Sequence, residues 1–356
     1  MPDPDFSGAL VLTGGGTGGH FFPALALAEG ARARWPGRPV HFVGARRGIE
    51  AGKLPDSGWP HLLLDVEGFV GRSPLRALKA LARLWRATRR MRRLFRNGRP
   101  WAVVGTGGYA AAPALLAARS LGIPYFLHES NAAPGALVKL VAARARRVWC
   151  GMAEAGEHLP KASCKVVGTP VRAAFLRGFA PLEDLRTPFR LLVMGGSGGA
   201  RALNEAVIGM AGALLEAHPD WEILHQTGRG AEGAAPGHAR HTLVPFIDDV
   251  AGALEASTLV LCRAGAVTCA ELRACGRPAV LVPLPTSAGD HQRLNARAMA
   301  GAGRAEVVEQ GEGFETRLQT AAGALMEDPA RRSGMGRSEA NDAVQRCLDD
   351  LAGLEA

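Results

Sequence analysis

Two glycine-rich segments constrain the fold of this chain more than any other feature. One reads Leu10-Val-Leu-Thr-Gly-Gly-Gly-Thr-Gly-Gly and the other Leu191-Leu-Val-Met-Gly-Gly-Ser-Gly-Gly-Ala, and each joins a short apolar run to a helical pattern. A strand that ends in glycines and turns into a helix directs backbone N–H groups and the helix dipole towards a phosphate. A single loop of this kind is often only structural, but two loops that open similar halves favour two phosphate-reading sites.

Short apolar runs alternate with longer helical patterns along the rest of the chain. This alternation predicts an α/β fold with parallel sheets and right-handed crossovers. The predicted strands are Leu10–Thr13, Val40–Val43, Leu62–Val66, Ala102–Gly105, Tyr125–His128, Val148–Cys150, Leu191–Met194, Glu222–Gln226, Leu259–Cys262 and Val280–Val282. The predicted helices include Pro23–Arg34, Pro74–Arg96 and Arg201–His218.

The restart of the pattern near Leu191 predicts two domains. The chain has 356 residues, which suits two domains of ordinary size. A stretch over 169–188 that carries Pro and Arg reads as a linker. We therefore predict an N-terminal domain over 1–166 and a second domain over 167–340. The amphipathic segment 341–356 is predicted to be a helix that closes the second domain or crosses back to the first.

The positive charge of the chain is concentrated in one segment. The net charge is +9, yet between Arg72 and Arg99 there are eleven Lys or Arg residues and no acid. Without that segment the chain has 31 basic and 33 acidic residues. A local basic patch on a nearly neutral protein suits an anionic membrane surface or nucleic acid.

The predicted helix Pro74–Arg96 carries this patch. At helical spacing, one side collects Leu75, Leu78, Leu81, Leu84 and Trp85, and the other collects Arg76, Lys79, Arg83 and Arg86. One interpretation is a crossover helix with a solvated basic face. The other is a docking surface for anionic lipid, formed by Leu75, Leu78, Lys79, Arg83, Trp85 and Arg86, with Phe69 and Val70 reaching the headgroups. Nucleic acid ranks below both because no interleaved aromatic residues or known module is present.

Several classes of protein are disfavoured by what the sequence lacks. The cysteines Cys150, Cys164, Cys262, Cys269, Cys275 and Cys347 form no CxxC pair and suit a reducing cytoplasm. No signal peptide and no membrane-spanning run is predicted, so membrane contact is expected to be peripheral. A dinucleotide-binding acid is missing after Val40, where His41 stands. No Asp-x-Asp pattern follows a predicted strand, and Asp248 and Asp249 are adjacent rather than spaced, so we predict no metal and no cofactor.

An ordered set of further motifs makes the prediction specific. The set consists of Thr13-Gly-Gly-Gly-Thr-Gly-Gly-His20, Gly107-Gly-Tyr109, His128-Glu-Ser-Asn131, Gly168-Thr-Pro-Val-Arg172, Gly195-Gly-Ser-Gly-Gly-Ala-Arg201, Phe246-Ile-Asp-Asp249, Cys262-Arg-Ala-Gly-Ala-Val-Thr268 with Glu271, and Asp290-His-Gln292 with Asn295. In this order the set closely resembles the MurG family, the N-acetylglucosaminyltransferases that convert lipid I to lipid II in peptidoglycan synthesis. The resemblance covers about residues 9 to 305, and it departs from the family pattern at Ser130, Thr169, Gly198 and Ala264.

The resemblance implies a fold, a reaction and a location. The fold would be GT-B, with two Rossmann-like domains whose parallel sheets face a cleft. The reaction would be an inverting, metal-independent transfer of N-acetylglucosamine from UDP-N-acetylglucosamine (UDP-GlcNAc) to the C4 hydroxyl of undecaprenyl-diphospho-N-acetylmuramoyl-pentapeptide (lipid I). The enzyme would lie peripherally on the cytoplasmic face of the cell membrane and bind no nucleic acid. Alternatives are another GT-B transferase that makes glycolipids, a UDP-GlcNAc 2-epimerase, and a non-enzymatic nucleotide-binding regulator.

The resemblance also assigns the donor-binding residues. Ser197 would touch the diphosphate, Glu271 the ribose hydroxyls and Ile247 the uracil. Arg172 would approach the nucleotide, and Gln292 would hold sugar hydroxyls. The remaining donor contacts would come from Thr17, Gly18, Gly19, Asn131, Ala266, Val267, Thr268, Cys269 and Ala270. A structural alternative exists for several of these residues, since Glu271 is also a favourable acid near a helix N-terminus.

The acceptor hydroxyl must lose a proton as it attacks, so the site needs a base. His20 is the first candidate, because histidine titrates near neutral pH. Glu129 and His128 are rival candidates, and His20 could instead cap the helix or bind phosphate. The family resemblance places the acceptor diphosphate at Gly14, Gly15, Gly16, Gly107 and Tyr109.

Overall fold

The computed structural model describes residues 3–68, 74–185, 187–196, 198–228 and 235–355. The chain divides into two compact units, the first formed by Met1–Ala173 with Asn341–Ala356 and the second by Ala174–Ala340. The observed division, between residues 173 and 174, lies a few residues beyond the predicted one, between residues 166 and 167. Ser197, Phe69 and Val70 lie outside the described residues.

The first unit contains a seven-stranded sheet in the order β3-β2-β1-β4-β5-β6-β7, and every pairing is parallel. Its strands are β1 (Leu10–Thr13), β2 (Val40–Ala45), β3 (His61–Leu64), β4 (Ala102–Gly105), β5 (Tyr125–Glu129), β6 (Arg147–Cys150) and β7 (Cys164–Val166). Its helices are α1 (Gly18–Arg34), α2 (Ile49–Lys53), α3 (Pro74–Asn97), α4 (Ala112–Leu121), α5 (Ala136–Val141) and α6 (Glu154–Glu157).

Both faces of this sheet are buried, as a parallel sheet covered by helices requires. Successive side chains point to opposite faces, so Val11 and Val103 enter one core and Leu10 and Leu12 enter the other. The strands of this sheet are therefore short continuous runs of apolar residues rather than alternating polar and apolar residues.

The second unit contains a six-stranded parallel sheet in the order β10-β9-β8-β11-β12-β13. Its strands are β8 (Phe189–Met194), β9 (Trp221–Gln226), β10 (His241–Val244), β11 (Leu259–Cys262), β12 (Ala279–Leu281) and β13 (Ala305–Val307). Its helices are α7 (Arg201–Ala217), α8 (Val250–Glu255), α9 (Ala266–Cys275), α10 (His291–Gly301), α11 (Phe314–Glu327) and α12 (Pro329–Met335).

Single 3-10 turns occur in both units, at Tyr109–Ala111, Ala142–Arg144, Ala173–Phe175, Leu182–Asp184 and Ala288–Asp290.

The last helix, α13 (Ala343–Ala352), packs on the first unit. Its Cys347, Leu348 and Leu351 are buried in the same core as Leu10 and Leu12. Asp350 accepts hydrogen bonds from the Trp149 indole and the Lys165 ammonium group, each at 2.8 Å. The end of the chain is thereby tied to β6 and β7.

The α/β prediction with two parallel sheets is confirmed, and each predicted strand coincides with an observed one to within two residues. Strands β7, β10 and β13 were missed, because all three are short strands at sheet edges that lack a strong apolar run. The first helix begins at Gly18 rather than at Pro23. Among the described residues, no helix is both long and apolar enough to cross a membrane.

Candidate active site

His20 lies in the first turn of α1, directly after the glycine-rich loop that follows β1. Its Nδ1 atom is 3.0 Å from the carbonyl oxygen of Thr106. A carbonyl can only accept, so Nδ1 carries the proton and Nε2 of the neutral ring carries a lone pair. The Thr106 hydroxyl also donates to the His20 carbonyl oxygen at 2.6 Å. Thr106, which the sequence analysis did not single out, thus fixes both the orientation and the tautomer of His20.

Two glycines after Thr106 let the chain close around the imidazole. Gly107 and Gly108 have φ of +101° and +76°, in the region that favours glycine. A Cβ on Gly107 would lie 2.7 Å from His20 Nδ1, and one on Gly108 would lie less than 3.0 Å from the Gly15 carbonyl oxygen. Glycine at positions 107 and 108 is therefore required for packing around His20, whatever these residues contribute to ligand binding.

The surroundings of His20 tune its proton affinity. Burial is the largest influence and lowers its pKa below the ordinary value of 6.5, while the charge of Glu129, the Thr106 carbonyl and the charge of Glu50 act in the opposite direction. A lowered pKa means that the ring is neutral at pH 7 and able to accept a proton. The nearby carboxylates favour the imidazolium ion that forms when it does.

Glu129, a rival base, is engaged in holding a loop. Its carboxylate is buried and accepts the backbone and side-chain N–H groups of Asn131 at 3.0 and 3.1 Å. Its other oxygen accepts the Gly135 N–H at 2.9 Å. Both carboxylate oxygens are therefore engaged within the protein, which leaves Glu129 poorly placed to approach an acceptor hydroxyl. Glu129 therefore orients Asn131 and contributes charge near His20.

His128, the third candidate, is fully buried, and burial lowers its pKa. Its Nε2 donates to the Gly168 carbonyl oxygen at 3.0 Å, and its Nδ1 lies 3.3 Å from the Ser130 hydroxyl. Both ring nitrogens are thus occupied. Within the described part of the chain, the Nε2 atom of His20 has no such partner, so His20 is the best placed base of the three.

Glu50, in α2, is a second residue that the sequence analysis did not identify. It is completely buried, and its oxygens accept the N–H groups of Gly16 at 2.8 Å and Ala45 at 3.0 Å. Gly16 was expected to bind the acceptor diphosphate, but its N–H is already bonded inside the protein. Tyr109, expected at the same site, packs its ring on Gly16 and donates its hydroxyl to the Arg47 carbonyl.

The N-terminus of α1 is open to an anion. Thr17 occupies the cap position without a side-chain hydrogen bond to the helix, and the first turn contains no acid. A Cβ on Gly18 would meet the Phe22 ring at 3.0 Å, whereas one on Gly19 would meet only the Thr17 hydroxyl at 3.8 Å. Packing therefore explains glycine at position 18. At position 19 the protein leaves room for a side chain, and a closely approaching ligand would explain the glycine.

Arg172 belongs to the first unit, and its guanidinium carbon lies 4.4 Å from the centre of the Phe22 ring. Phe22 is two residues beyond His20 in α1. The arginine that was expected to approach the nucleotide is therefore stacked on the helix that carries the candidate base.

In the second unit, the predicted donor residues follow neighbouring strands. Strand β11 lies between β8 and β12, so the loops after these three strands share one edge of the sheet. The cap residues, Ala200 of α7 and Gly265 of α9, have no side chain that could accept a hydrogen bond from the helix, and the first turn of each lacks an acid. Two helix N-termini therefore point uncapped N–H groups at this edge, as an anionic diphosphate requires.

A buried pair of histidines, His225 and His241, is linked through Asn204 to the residues that pack against the second glycine-rich loop. A Cβ on Gly199 would lie less than 3.0 Å from the Thr227 carbonyl oxygen, which accepts the Asn204 amide at 2.7 Å. Asn204 also contacts His225 at 3.1 Å, and His225 contacts His241 at 3.2 Å. Burial, then repulsion from His241, lowers the pKa of His225 to about 3, and burial, then His238, lowers that of His241 to about 4.

The other donor residues divide between core and surface. Along α9, Val267, Cys269 and Glu271 are buried, while the intervening Ala266, Thr268 and Ala270 are partly exposed. Gln292 uses its side-chain carbonyl to accept the Leu284 N–H at 3.0 Å, which leaves its amide group to donate.

Two residues of the Phe246-Ile-Asp-Asp249 motif lie near β10. Ile247 is half-buried in the segment between β10 and α8. Asp249 caps α8 by accepting the Gly252 N–H at 2.9 Å. Over the described ranges, no group of three or more His, Cys, Asp or Glu side chains is arranged to hold a metal ion.

Comparison with known proteins gives a consistent picture. Residues 10–150 match the glycosyltransferase family 28 N-terminal domain, and residues 190–350 match the C-terminal domain of that family. A protein from Syntrophotalea carbinolica, named UDP-N-acetylglucosamine–N-acetylmuramyl-(pentapeptide) pyrophosphoryl-undecaprenol N-acetylglucosamine transferase, is 45% identical over 307 residues, 85% of each chain. A protein of the same name from Synechococcus sp. strain JA-3-3Ab is 41% identical over 98% of this chain and 97% of its own.

A solved structure agrees with these sequence relatives. The crystal structure of Acinetobacter baumannii MurG is 29% identical, with a TM-score of 0.66. The alignment covers 98% of this chain and 100% of that one.

Proposed function

Because this chain belongs to glycosyltransferase family 28 and to its N-acetylmuramyl-(pentapeptide) pyrophosphoryl-undecaprenol N-acetylglucosamine transferases, we propose that it converts lipid I to lipid II. It transfers N-acetylglucosamine from UDP-GlcNAc to the C4 hydroxyl of the lipid-linked N-acetylmuramoyl pentapeptide. In this proposal the first unit holds the acceptor and the base, and the second unit holds the nucleotide.

The observation that carries the proposal is the environment of His20. In the transfer, the acceptor oxygen forms a bond to the anomeric carbon, the bond from that carbon to UDP breaks, and UDP leaves with the electron pair. The acceptor proton passes to Nε2 of His20, because the Thr106 carbonyl keeps the proton of the neutral ring on Nδ1. Glu129 and Glu50 then stabilise the imidazolium charge.

The second unit stabilises the leaving group. The uncapped N-termini of α7 and α9 direct their N–H groups and dipoles towards the charge that develops on UDP. In this proposal Glu271 accepts hydrogen bonds from the ribose hydroxyls, and the Gln292 amide donates to the sugar. We propose that this arrangement replaces a divalent ion, so that transfer continues in EDTA.

Helix α3 supports the proposal that the enzyme docks on a membrane. The helix packs through Ala80, Ala87, Met91, Leu94 and Phe95. The apolar side, which the crossover-helix interpretation would place against the sheet, faces solvent: Leu75 is 69% exposed, Leu78 64%, Leu81 48% and Trp85 59%.

The charge around these side chains is positive. Lys79 and Arg86 are exposed beside them, and Arg89 lies 5.0 Å over the Trp85 ring. Arg83 differs from the expectation, since it is half-buried and pairs with Glu67 at 2.8 Å and with Asp65 at 3.5 Å. An apolar strip flanked by Lys and Arg fits the cytoplasmic leaflet with its anionic headgroups, where a polyprenol-linked acceptor resides.

A direct transfer assay tests the proposed function. Radiolabelled UDP-GlcNAc is incubated with a short-chain lipid I analogue, with and without EDTA, and the lipid fraction is examined for labelled disaccharide. We expect one labelled product in both conditions. Folded protein that binds UDP but forms no labelled lipid would refute the proposed function, and loss of transfer in EDTA would refute the metal-independent mechanism.

A further inference from the structure

Glu50 carries a buried charge, and in the proposed mechanism it contacts neither substrate. Burying an ionised carboxylate is costly unless it is hydrogen-bonded. Glu50 meets this condition by accepting two backbone N–H groups, one from Gly16 in the loop after β1 and one from Ala45 at the end of β2. The carboxylate therefore connects the loops that follow two neighbouring strands.

Three glycines enclose this carboxylate. A Cβ on Gly15, Gly44 or Gly48 would lie less than 3.0 Å from an atom of the Glu50 side chain. Gly15 and Gly16 thus face an anion inside the protein. In a phosphate-binding loop, by contrast, the N–H groups would be kept for the ligand. The negative charge of Glu50 also disfavours a diphosphate at this end of the loop.

The loop that Glu50 holds leads directly into the turn that carries His20. Resting on the proposed function, we infer that Glu50 is a positioning residue of the transfer reaction, whose carboxylate holds the glycine-rich loop so that His20 is presented to the acceptor hydroxyl. The first glycine-rich loop is accordingly built to place the base.

An electrostatic effect accompanies the positioning. The charged or titratable groups that act on His20 are Glu129 and His128 in β5 and Glu50 in α2. Glu50 and Glu129 raise the pKa of His20 against the lowering by burial. Removing the charge of Glu50 is therefore expected to lower the pKa of His20 further, and a residue that served only to hold the fold would not produce this shift in a folded variant.

The test compares Glu50→Gln with Glu67→Gln in the full-length protein. Glu67 is a matched control, since it is a carboxylate near the same sheet edge that pairs with Arg47 and Arg83. His20 is titrated by NMR with labelled histidine and assigned with a His20→Gln variant, and kcat, KM and UDP affinity are measured in parallel. For Glu50→Gln we expect a lower His20 pKa and a kcat reduced at least about tenfold by misplacement of the base. UDP affinity should be unchanged, and Glu67→Gln should resemble the wild type.

A wild-type titration curve and a wild-type kcat for Glu50→Gln would overturn the inference. If this variant does not fold, Gly15→Ala perturbs the same contact from the loop side, and a wild-type kcat for that variant would overturn the inference equally. If the wild type forms no labelled lipid, the proposed function fails. The NMR titration still decides whether Glu50 acts on His20, so the two failures are distinguishable.

Discussion

The exposed apolar side of α3 leads to a quantitative prediction for membrane binding. Full burial of a leucine side chain contributes about 1.5–3 kcal/mol. Leu81 is 48% exposed, so transferring its exposed part into a membrane contributes about half of that, or about 1 kcal/mol. Leu81→Ser should therefore weaken binding to anionic vesicles roughly fivefold, since about 1.4 kcal/mol corresponds to a factor of ten.

Leu176 provides the control for this substitution, because it is 45% exposed, nearly as much as Leu81, and belongs to the second unit rather than to α3. Leu176→Ser should change vesicle binding less than about twofold, since substitution of an exposed side chain outside the docking surface has little effect. Both variants should keep the wild-type melting temperature, because neither position contributes to a core.

Sedimentation with vesicles made of phosphatidylglycerol and phosphatidylcholine measures the partition coefficient directly. Binding should fall as the phosphatidylglycerol fraction decreases and as salt increases, since each basic residue near the surface contributes about 1 kcal/mol and is screened by ions. Equal effects of Leu81→Ser and Leu176→Ser, or equal binding to purely neutral vesicles, would refute the assignment of α3 as the docking surface.

Two further predictions concern the glycine at the start of α1 and the buried histidines. Gly19→Ala should raise the unfolding free energy by up to about 1 kcal/mol, because alanine is the better helix former and its Cβ has room. The same substitution should reduce kcat/KM if a ligand approaches the N–H of residue 19. An unchanged kcat/KM would argue against a ligand there. His225 and His241 bind protons more weakly folded than unfolded, so stability is full above about pH 6.5 and falls as the pH drops towards their folded pKa values of about 3 and about 4. Between pH 7 and pH 5 the pair should account for about 2–4 kcal/mol, measured by chemical denaturation. His241→Gln should reduce this pH dependence, and an unchanged slope would contradict the assignment.

Much of the fold could be predicted because the two parallel sheets bury both faces of their strands. Runs such as Leu191–Met194 are continuously apolar for that reason, and the glycines that follow mark where a helix must begin. Strand β7 escaped prediction because Cys164 and Lys165 are only partly buried, so burial imposes no apolar run on this edge.

The candidate site was only partly predictable, because two of its supports act over long sequence separations. Glu50 contacts Gly16 across 34 positions, and its residue type alone does not distinguish it from an ordinary acid at a helix start. A weak signal was available in Gly44 and Gly48, which shortly precede Glu50 and leave space for its side chain. Thr106 contacts the His20 ring through its backbone carbonyl, which any residue type could supply, so this contact could not be recognised from residue identity.

The orientation of α3 shows a different limit. Helical spacing correctly grouped Leu75, Leu78 and Trp85 on one side, but periodicity does not say whether an apolar side faces a core or solvent. The small residues Ala80 and Ala87 together with Met91 form the packed side.

The central claim, that His20 takes the acceptor proton, is tested most directly by His20→Ala. Transfer of labelled N-acetylglucosamine to the lipid I analogue and UDP binding are measured on one preparation of folded protein. We predict that transfer falls by about two to four orders of magnitude, the usual contribution of a general base, while UDP affinity stays at the wild-type value. Near-normal transfer by His20→Ala would contradict the account and return the assignment of the base to Glu129 or His128.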